Sequence, residues 1–255
     1  MRQMPAAVIS NRLLARDTWE MEFGWNSDET PEAGQFLSLR ASSSSDPLLR
    51  RPFAFSAFDR AAARASIIYL KRGRTTEILA SLAPGAILDV LGPLGKGFTL
   101  PPPDGLSALL AGGIGAGPIL FLARRLTDVG LPWALAFGAR TKAMVPLERL
   151  PPGTLLRTDD GSLGKAGTAV EALDDMDGPA RIYACGPGPM LAAAALAARA
   201  RGIPCQVAVE QHMACGVGAC MGCSVPLAAG GYARACADGP VFDAQILSWE
   251  AGRWT

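Results

Sequence analysis

The sequence predicts an antiparallel β-barrel, then a doubly wound parallel α/β domain, then a small cysteine-rich carboxy-terminal domain. Three observations carry this. The first hundred residues are short β-type runs separated by Gly, Pro and Ser; at Pro101–Pro103 the texture changes to strands alternating with helices; and four cysteines gather near the end. The expected divisions are 1–100, 104–205 and 206–255.

In the barrel, the β-type runs are 8–15, 18–25, 35–40, 53–58, 66–70 and 87–91, with Ser42–Ser45 the clearest loop. One helix is expected over 75–82, closed by Pro84 and Gly85. Beyond the proline run come a strand at 107–111, a glycine turn, a helix over 118–126 and a strand at 133–138. Less regular material follows, then a strand at 180–185. A helix over 189–200 has proline at its start and Gly202 just past its end, as cap preferences demand. A last strand, 206–209, leads into the cysteines. Alternation of this kind is the mark of a parallel sheet.

The totals narrow the function. The chain has 255 residues, 49 % apolar and 18 % charged, with a net charge of +1. That balance gives no reason to expect nucleic acid or an acidic membrane surface as partner. The most apolar stretch, Leu109–Ala123, is interrupted by four glycines and Pro118, unlike a membrane span. The start, Met1 to Pro5, lacks the apolar core of a secretory signal, so a cytoplasmic location is expected. Six cysteines in that compartment are expected as thiols or ligands.

Cys215, Cys220 and Cys223 stand at C-x4-C-x2-C spacing and Cys236 follows after twelve residues. This is the plant-type spacing for a [2Fe–2S] cluster. Gly216, Gly218 and Gly222 fit a loop that wraps an inorganic core and turns its N–H groups toward sulfur. The alternatives are a structural zinc site or two disulfides; zinc favours two C-x2-C pairs and disulfides favour small secreted domains. His212 is the chain's single histidine, and a Rieske centre needs two; it reads as a loop residue.

Two glycine turns stand between strand and helix: Gly112, Gly113 and Gly115 before Pro118, and Gly186 with Pro187 after Cys185. The first departs from G-x-G-x-x-G because Pro118 takes the last glycine's place. A helix N-terminus behind such a turn offers N–H groups and a positive dipole end to phosphate. Two such turns at the carboxyl edge of a parallel sheet frame a dinucleotide crevice, which Cys185 would face as the candidate catalytic residue; taken alone, each is a tight strand–helix junction and Cys185 a core thiol. Arg140 and Lys142 follow the second strand of this domain, where an adenosine ribose could lie. Asp159–Asp160–Gly161 reads as a turn.

Together these residues resemble the electron-transfer subunit of the NAD-linked, two-subunit dihydroorotate dehydrogenase, within the ferredoxin reductase-type flavoproteins. The resemblance runs from Arg50–Phe53 through Asp89–Phe98, Gly113–Ala116 and Cys185–Pro187 to the cysteine loop and Asp238–Asp243. It implies FAD along the barrel at Arg51, Pro52, Phe53 and Ala54, at Ile68, Tyr69 and Leu70, and at Thr75 and Thr76. An arginine fork suits pyrophosphate, and Tyr69 is expected against the flavin or its ribityl chain. The family usually has serine at Ala54 and glycine-threonine at Thr75–Thr76. Ser56 is expected to replace the missing hydroxyl, and Thr75 to be costly if its position needs positive φ.

The resemblance implies NAD(H) in the crevice, with NAD the default over NADP despite Arg140 and Lys142. NADH yields a hydride and a [2Fe–2S] centre takes one electron, so a flavin belongs between them. It also implies a partner subunit containing FMN that oxidises dihydroorotate to orotate in pyrimidine biosynthesis, the whole forming a heterotetramer. Two other readings stay open: a reductase of the same parts serving a ferredoxin, transhydrogenase or oxygenase partner, and a non-catalytic zinc-binding interaction protein.

Overall fold

A computed structural model describes residues 1–41 and 46–250; the predicted loop at 42–45 lies outside the described residues. The strands β1 (Arg2–Ala15), β2 (Thr18–Gly24), β3 (Phe36–Arg40), β4 (Arg51–Asp59), β5 (Arg64–Leu70) and β6 (Ile87–Leu94) close a barrel in the order β1-β2-β5-β4-β3-β6. Every pairing in it is antiparallel. The inward positions recur at every second residue, as a pleated strand requires: Met21 and Phe23, Leu37 and Leu39, Ile67 and Tyr69, Leu88 and Val90 are all buried. Helix α1 (Arg74–Ser81) follows β5, one residue ahead of the predicted span.

A second sheet runs β10-β9-β8-β7-β11-β12-β15. Its strands are β7 (Ser107–Gly112), β8 (Trp133–Ala139), β9 (Leu155–Thr158), β10 (Lys165–Ala166), β11 (Arg181–Cys185), β12 (Cys205–Ala208) and β15 (Val241–Asp243). The pairings are parallel except the last, where β15 lies antiparallel to β12. The expected parallel sheet is present, and β15 of the carboxy-terminal segment adds one antiparallel strand at its edge. A small hairpin, β13 (Ser224–Pro226) and β14 (Tyr232–Arg234), stands between β12 and β15.

Strand β7 is buried at all six positions, the pattern of a sheet covered on both faces. Leu109 and Ala111 join the barrel core and helix α2 (Ala116–Asp128), whereas Ala108 and Leu110 pack with helix α3 (Gly188–Arg201). Helix α2 is therefore sandwiched between sheet and barrel. Helix α3 ends at Gly202 in the left-handed conformation, φ 65°, as the sequence predicts. No described helix is long and apolar enough to cross a membrane.

Side chains hold the two large units together along the linker. Thr99 is gripped through its N–H by Gln206 Oε1 at 3.0 Å and through its carbonyl by the Tyr183 hydroxyl at 3.0 Å. Arg181, buried at the start of β11, donates to the carbonyls of Pro102 at 3.0 Å and Asp104 at 2.7 Å.

Candidate functional site

The barrel face is built on β4. Residues Arg51 to Ala54 are half-buried, and the next two, Phe55 and Ser56, are buried. Adjacent arginines behave differently here. Arg50 pairs with the Asp89 carboxylate and donates to the Asp89 carbonyl at 2.9 Å, tying β4 to β6. Arg51 donates only to the carbonyls of Leu49 and Arg50, at 3.0 and 3.2 Å, and no acidic partner is seen among the described residues. An uncompensated guanidinium beside a half-open strand fits a pyrophosphate. Phe53 stands edge-on to Tyr69, ring centroids 6.1 Å apart.

Burial and hydrogen bonding place the other residues expected at this face as follows. Tyr69 is 1 % exposed and donates its hydroxyl to Asn11 Oδ1 at 2.9 Å, so its ring belongs to the barrel core and is not free to lie against a flavin. Burial pushes its hydroxyl pKa far up, and the Asn11 bond only partly offsets this. Ile68 is buried on the opposite side of β5, beneath α2 near Gly117, and Leu70 is half-buried at the strand end. Ser56 lies under the same helix with its hydroxyl buried and unpartnered. Thr75 is buried within α1 and has no positive φ, so the residue that differs from the family's glycine carries no backbone strain. The Thr76 hydroxyl is occupied at the start of α1, accepting from the N–H groups of Arg72 and Gly73 at 3.0 and 3.1 Å.

The two glycine turns meet. A methyl on Gly115 would sit 2.1 Å from the Cys185 carbonyl oxygen, and one on Gly112 would sit 2.7 Å from Met190 Sδ. Gly186 packs the same way against Met190 and Gly112, while Gly113 and Pro187 are exposed. The missing side chains thus let two strand–helix junctions close on each other at the carboxyl edge of the sheet, with Gly113 facing open space. Cys185 ends β11, flanked in register by Ala111 and Ala208. Burial first, and then the Glu210 charge, push its thiol up to about 12, so it stays protonated at neutral pH. Cys205 is a buried core thiol of β12. Arg140 and Lys142 are exposed just beyond β8. Asp160 accepts from the Ser162 N–H at 3.0 Å and hydroxyl at 2.6 Å, and these bonds hold its carboxyl below the usual range. The acidic pair is a turn, as predicted.

The cysteine loop puts its thiols in two pairs. Cys215 and Cys220 have their sulfurs 3.4 Å apart. The β13–β14 hairpin folds Cys236 back on Cys223, whose sulfur accepts the Cys236 N–H at 3.4 Å. The twelve-residue gap is therefore the length of a hairpin. Further N–H groups converge on sulfur: Gly218 on Cys236 at 3.2 Å, Cys220 on Cys215 at 3.4 Å and Gly222 on Cys220 at 3.5 Å. Among the described residues, no three His, Cys, Asp or Glu side chains are arranged for a single metal ion. Two thiol pairs with N–H donors fit a cluster of two irons, each taking two thiolates. His212 is exposed, three residues before Cys215.

The loop rests on the barrel. A methyl on Gly216 would lie 3.9 Å from the Ser38 hydroxyl and 4.0 Å from the Phe36 ring. Phe36 and Ser38 are the cross-strand partners of Ala54 and Pro52. Both motifs are visible in the sequence but their closeness is not, because the register of β3 against β4 joins residues that no local pattern links.

Comparison with known proteins agrees with this geometry. Residues 210–248 match the iron-sulfur cluster binding domain of dihydroorotate dehydrogenase B. A dihydroorotate dehydrogenase B (NAD(+)) electron transfer subunit from Geobacillus kaustophilus is 41 % identical over 93 % of this chain and 95 % of its own. One from Desulforamulus reducens is 35 % identical, covering 96 % of this chain and 98 % of its own. Among solved structures, an NADH-dependent reduced ferredoxin-NADP oxidoreductase studied for flavin-based electron bifurcation superposes with a TM-score of 0.85 at 26 % identity, over 95 % of this chain and 89 % of the other. Phthalate dioxygenase reductase shares the fold, with a TM-score of 0.63 at 19 % identity over 89 % and 87 %.

Proposed function

The chain belongs to the dihydroorotate dehydrogenase B electron transfer subunits, and on that premise we propose that it carries electrons between NAD(H) and the FMN of a catalytic partner, through FAD on the barrel and a [2Fe–2S] cluster on Cys215, Cys220, Cys223 and Cys236. The observation that carries this is the seating of the cluster loop on Phe36 and Ser38, one strand from Pro52 and Ala54. A bound flavin supplies the exchange between a two-electron hydride and single electrons.

The protein's own residues then have defined tasks. Arg51 neutralises the pyrophosphate, and Pro52, Phe53 and Ala54 line the half-open strand with Leu70. Ile68, Tyr69, Thr75 and Thr76 hold the surrounding strands and helix in place, through backbone and packing. Gly113, Gly186 and Pro187 border the nucleotide crevice, which Gly112 and Gly115 shape by letting the two turns close. Cys185 lines the crevice floor as a thiol that stays protonated at neutral pH. The divisions 1–100, 104–205 and 206–255 describe the three tasks; β12 spans the last division, and β15 returns from the cluster segment to the nucleotide sheet.

Val217, Met221, Tyr232 and Ile246 are exposed apolar side chains in the cluster segment, which supports a docking role for it. The partner in this reading is the FMN-containing subunit, joined in a heterotetramer in the cytoplasm.

Anaerobic co-purification with candidate partners tests the assignment. The expected preparation is yellow-brown, releases FAD, iron and acid-labile sulfide, and reduces artificial acceptors with NADH. Dihydroorotate oxidation is expected only with the FMN subunit present. Full activity with a ferredoxin or oxygenase and none with that subunit would overturn the partner. A colourless zinc protein would overturn the whole reading.

A further inference from the structure

We infer that Arg234 is a positioning residue that sets the reduction potential of the cluster, by fixing the Gly218 amide on the Cys236 sulfur and holding a cation beside it. Arg234 ends β14, two residues before Cys236. Its Nη1 donates to the Gly218 carbonyl at 2.7 Å, and the N–H of the same glycine donates to Cys236 Sγ at 3.2 Å. The two bonded groups flank one α-carbon, so holding the carbonyl orients the amide. Gly218 has φ 82°, and a methyl on it would sit 3.0 Å from the Ala237 side chain, so the loop admits no side chain at that point.

The guanidinium is itself braced. Asp238 accepts from Arg234 Nε at 3.2 Å, from Nη2 at 3.4 Å and from its main-chain N–H at 2.8 Å. Adding an electron to a cluster increases its negative charge, so donors on its sulfurs and nearby cations favour the reduced form. Asp238 offsets part of the charge, and the partial exposure of both side chains screens what remains. The amide contact and the residual charge act in one direction, toward a higher potential.

This rests on ligation by the four cysteines. The test uses the full chain loaded with flavin and cluster, as wild type, Arg234→Gln and Arg234→Lys, with iron and sulfide analysis, EPR of the reduced cluster and a dye-equilibrated redox titration. In Arg234→Gln the reduced-to-oxidised ratio at the wild-type midpoint is expected to fall about tenfold, a shift of about 59 mV for a one-electron couple. Its EPR g values are expected to change while the flavin midpoint stays put. Arg234→Lys keeps the charge and loses the fork, so a smaller shift of the same sign is expected. A cluster-loaded variant at the wild-type potential, or above it, overturns the inference. Should Arg234→Gln fail to hold a cluster, Arg234→Lys decides. Loss of iron and sulfide from Arg234→Lys also overturns it, because the residue would then retain the cluster and not tune it. A wild type without iron and sulfide overturns the ligation reading itself.

Discussion

Glu20 of the barrel and Arg149, in the segment after β8, form an ion pair 2.8 Å long that is close but not aligned as a hydrogen bond, with the carboxylate 8 % exposed. Arg12 reaches its other oxygen through Nε and Nη2, at 3.2 and 3.0 Å, and extends to Glu148 at 3.1 Å. The barrel thereby holds the segment that follows β8. Glu20→Ala leaves two arginines facing each other around a buried gap. Breaking a fully buried pair costs about 3–5 kcal/mol; the arginines here are partly exposed, so about 2 kcal/mol is expected. Urea unfolding of the flavin-loaded chain measures it, with Glu20→Gln falling between. An unchanged midpoint for Glu20→Ala would show that the pair does no structural work.

Arg50 and Arg51 should separate stability from cofactor retention. In the proposed role of Arg51, Arg51→Gln removes a charge-assisted contact to phosphate, worth about 1.5–3 kcal/mol, so FAD affinity is expected to fall by about one to two orders of magnitude. The apo-protein should melt as the wild type does. Arg50→Gln breaks the tie between β4 and β6 and is expected to lower the melting temperature of the apo-protein. Flavin fluorescence on release and thermal scans distinguish the two; equal effects from both substitutions would remove the distinction.

Gly115→Ala forces a methyl against the Cys185 carbonyl and must push the turns apart, whereas Gly113 faces open space at φ 56°. The first is expected to raise the KM for NADH at least tenfold, with iron, sulfide and FAD content intact. Gly113→Ala carries only a backbone penalty of about 1 kcal/mol. Stopped-flow flavin reduction by NADH provides the comparison, and a Gly115→Ala enzyme with wild-type KM would count against a crevice shaped by these turns.

Cys185 gives a pH prediction. Its folded pKa is raised to about 12, against about 8.5 for a free thiol. Between those values the unfolded chain has lost the proton that the folded chain keeps, so stability declines as pH rises from about 9 to 12. Cys185→Ala should flatten part of that decline. Within pH 6–9 the thiol stays neutral, so its replacement is expected to change the rate of hydride exchange without adding or removing a step in the pH profile. Rapid alkylation of Cys185 by iodoacetamide at pH 8 in the native protein would contradict the protonated state.

The sequence showed much of this because its signals are local. Turn residues outline β1 to β6, proline and glycine mark α3, and the cysteine spacing needs no long-range information. What stayed hidden depends on pairing. Strands β9, β10 and β15 are four, two and three residues long, too short for periodicity to reveal. The family resemblance implies Tyr69 as a ligand residue, and only the inward side of the β5 pleat shows that its ring is spent on Phe53 and Asn11. The likeness of Arg50 and Arg51 in sequence conceals which one is committed to Asp89.

Strand β15 has a bearing on dissection of the molecule. The chain leaves the nucleotide sheet at β12, builds the whole cysteine segment, and comes back to cover β12 with its final strand. Deletion of everything after 209 would strip that cover and leave a bare hydrogen-bonding rim open to self-association. A cut intended to yield a clean flavin-nucleotide fragment would therefore yield a sticky one, and an excised cysteine module would lack its anchorage.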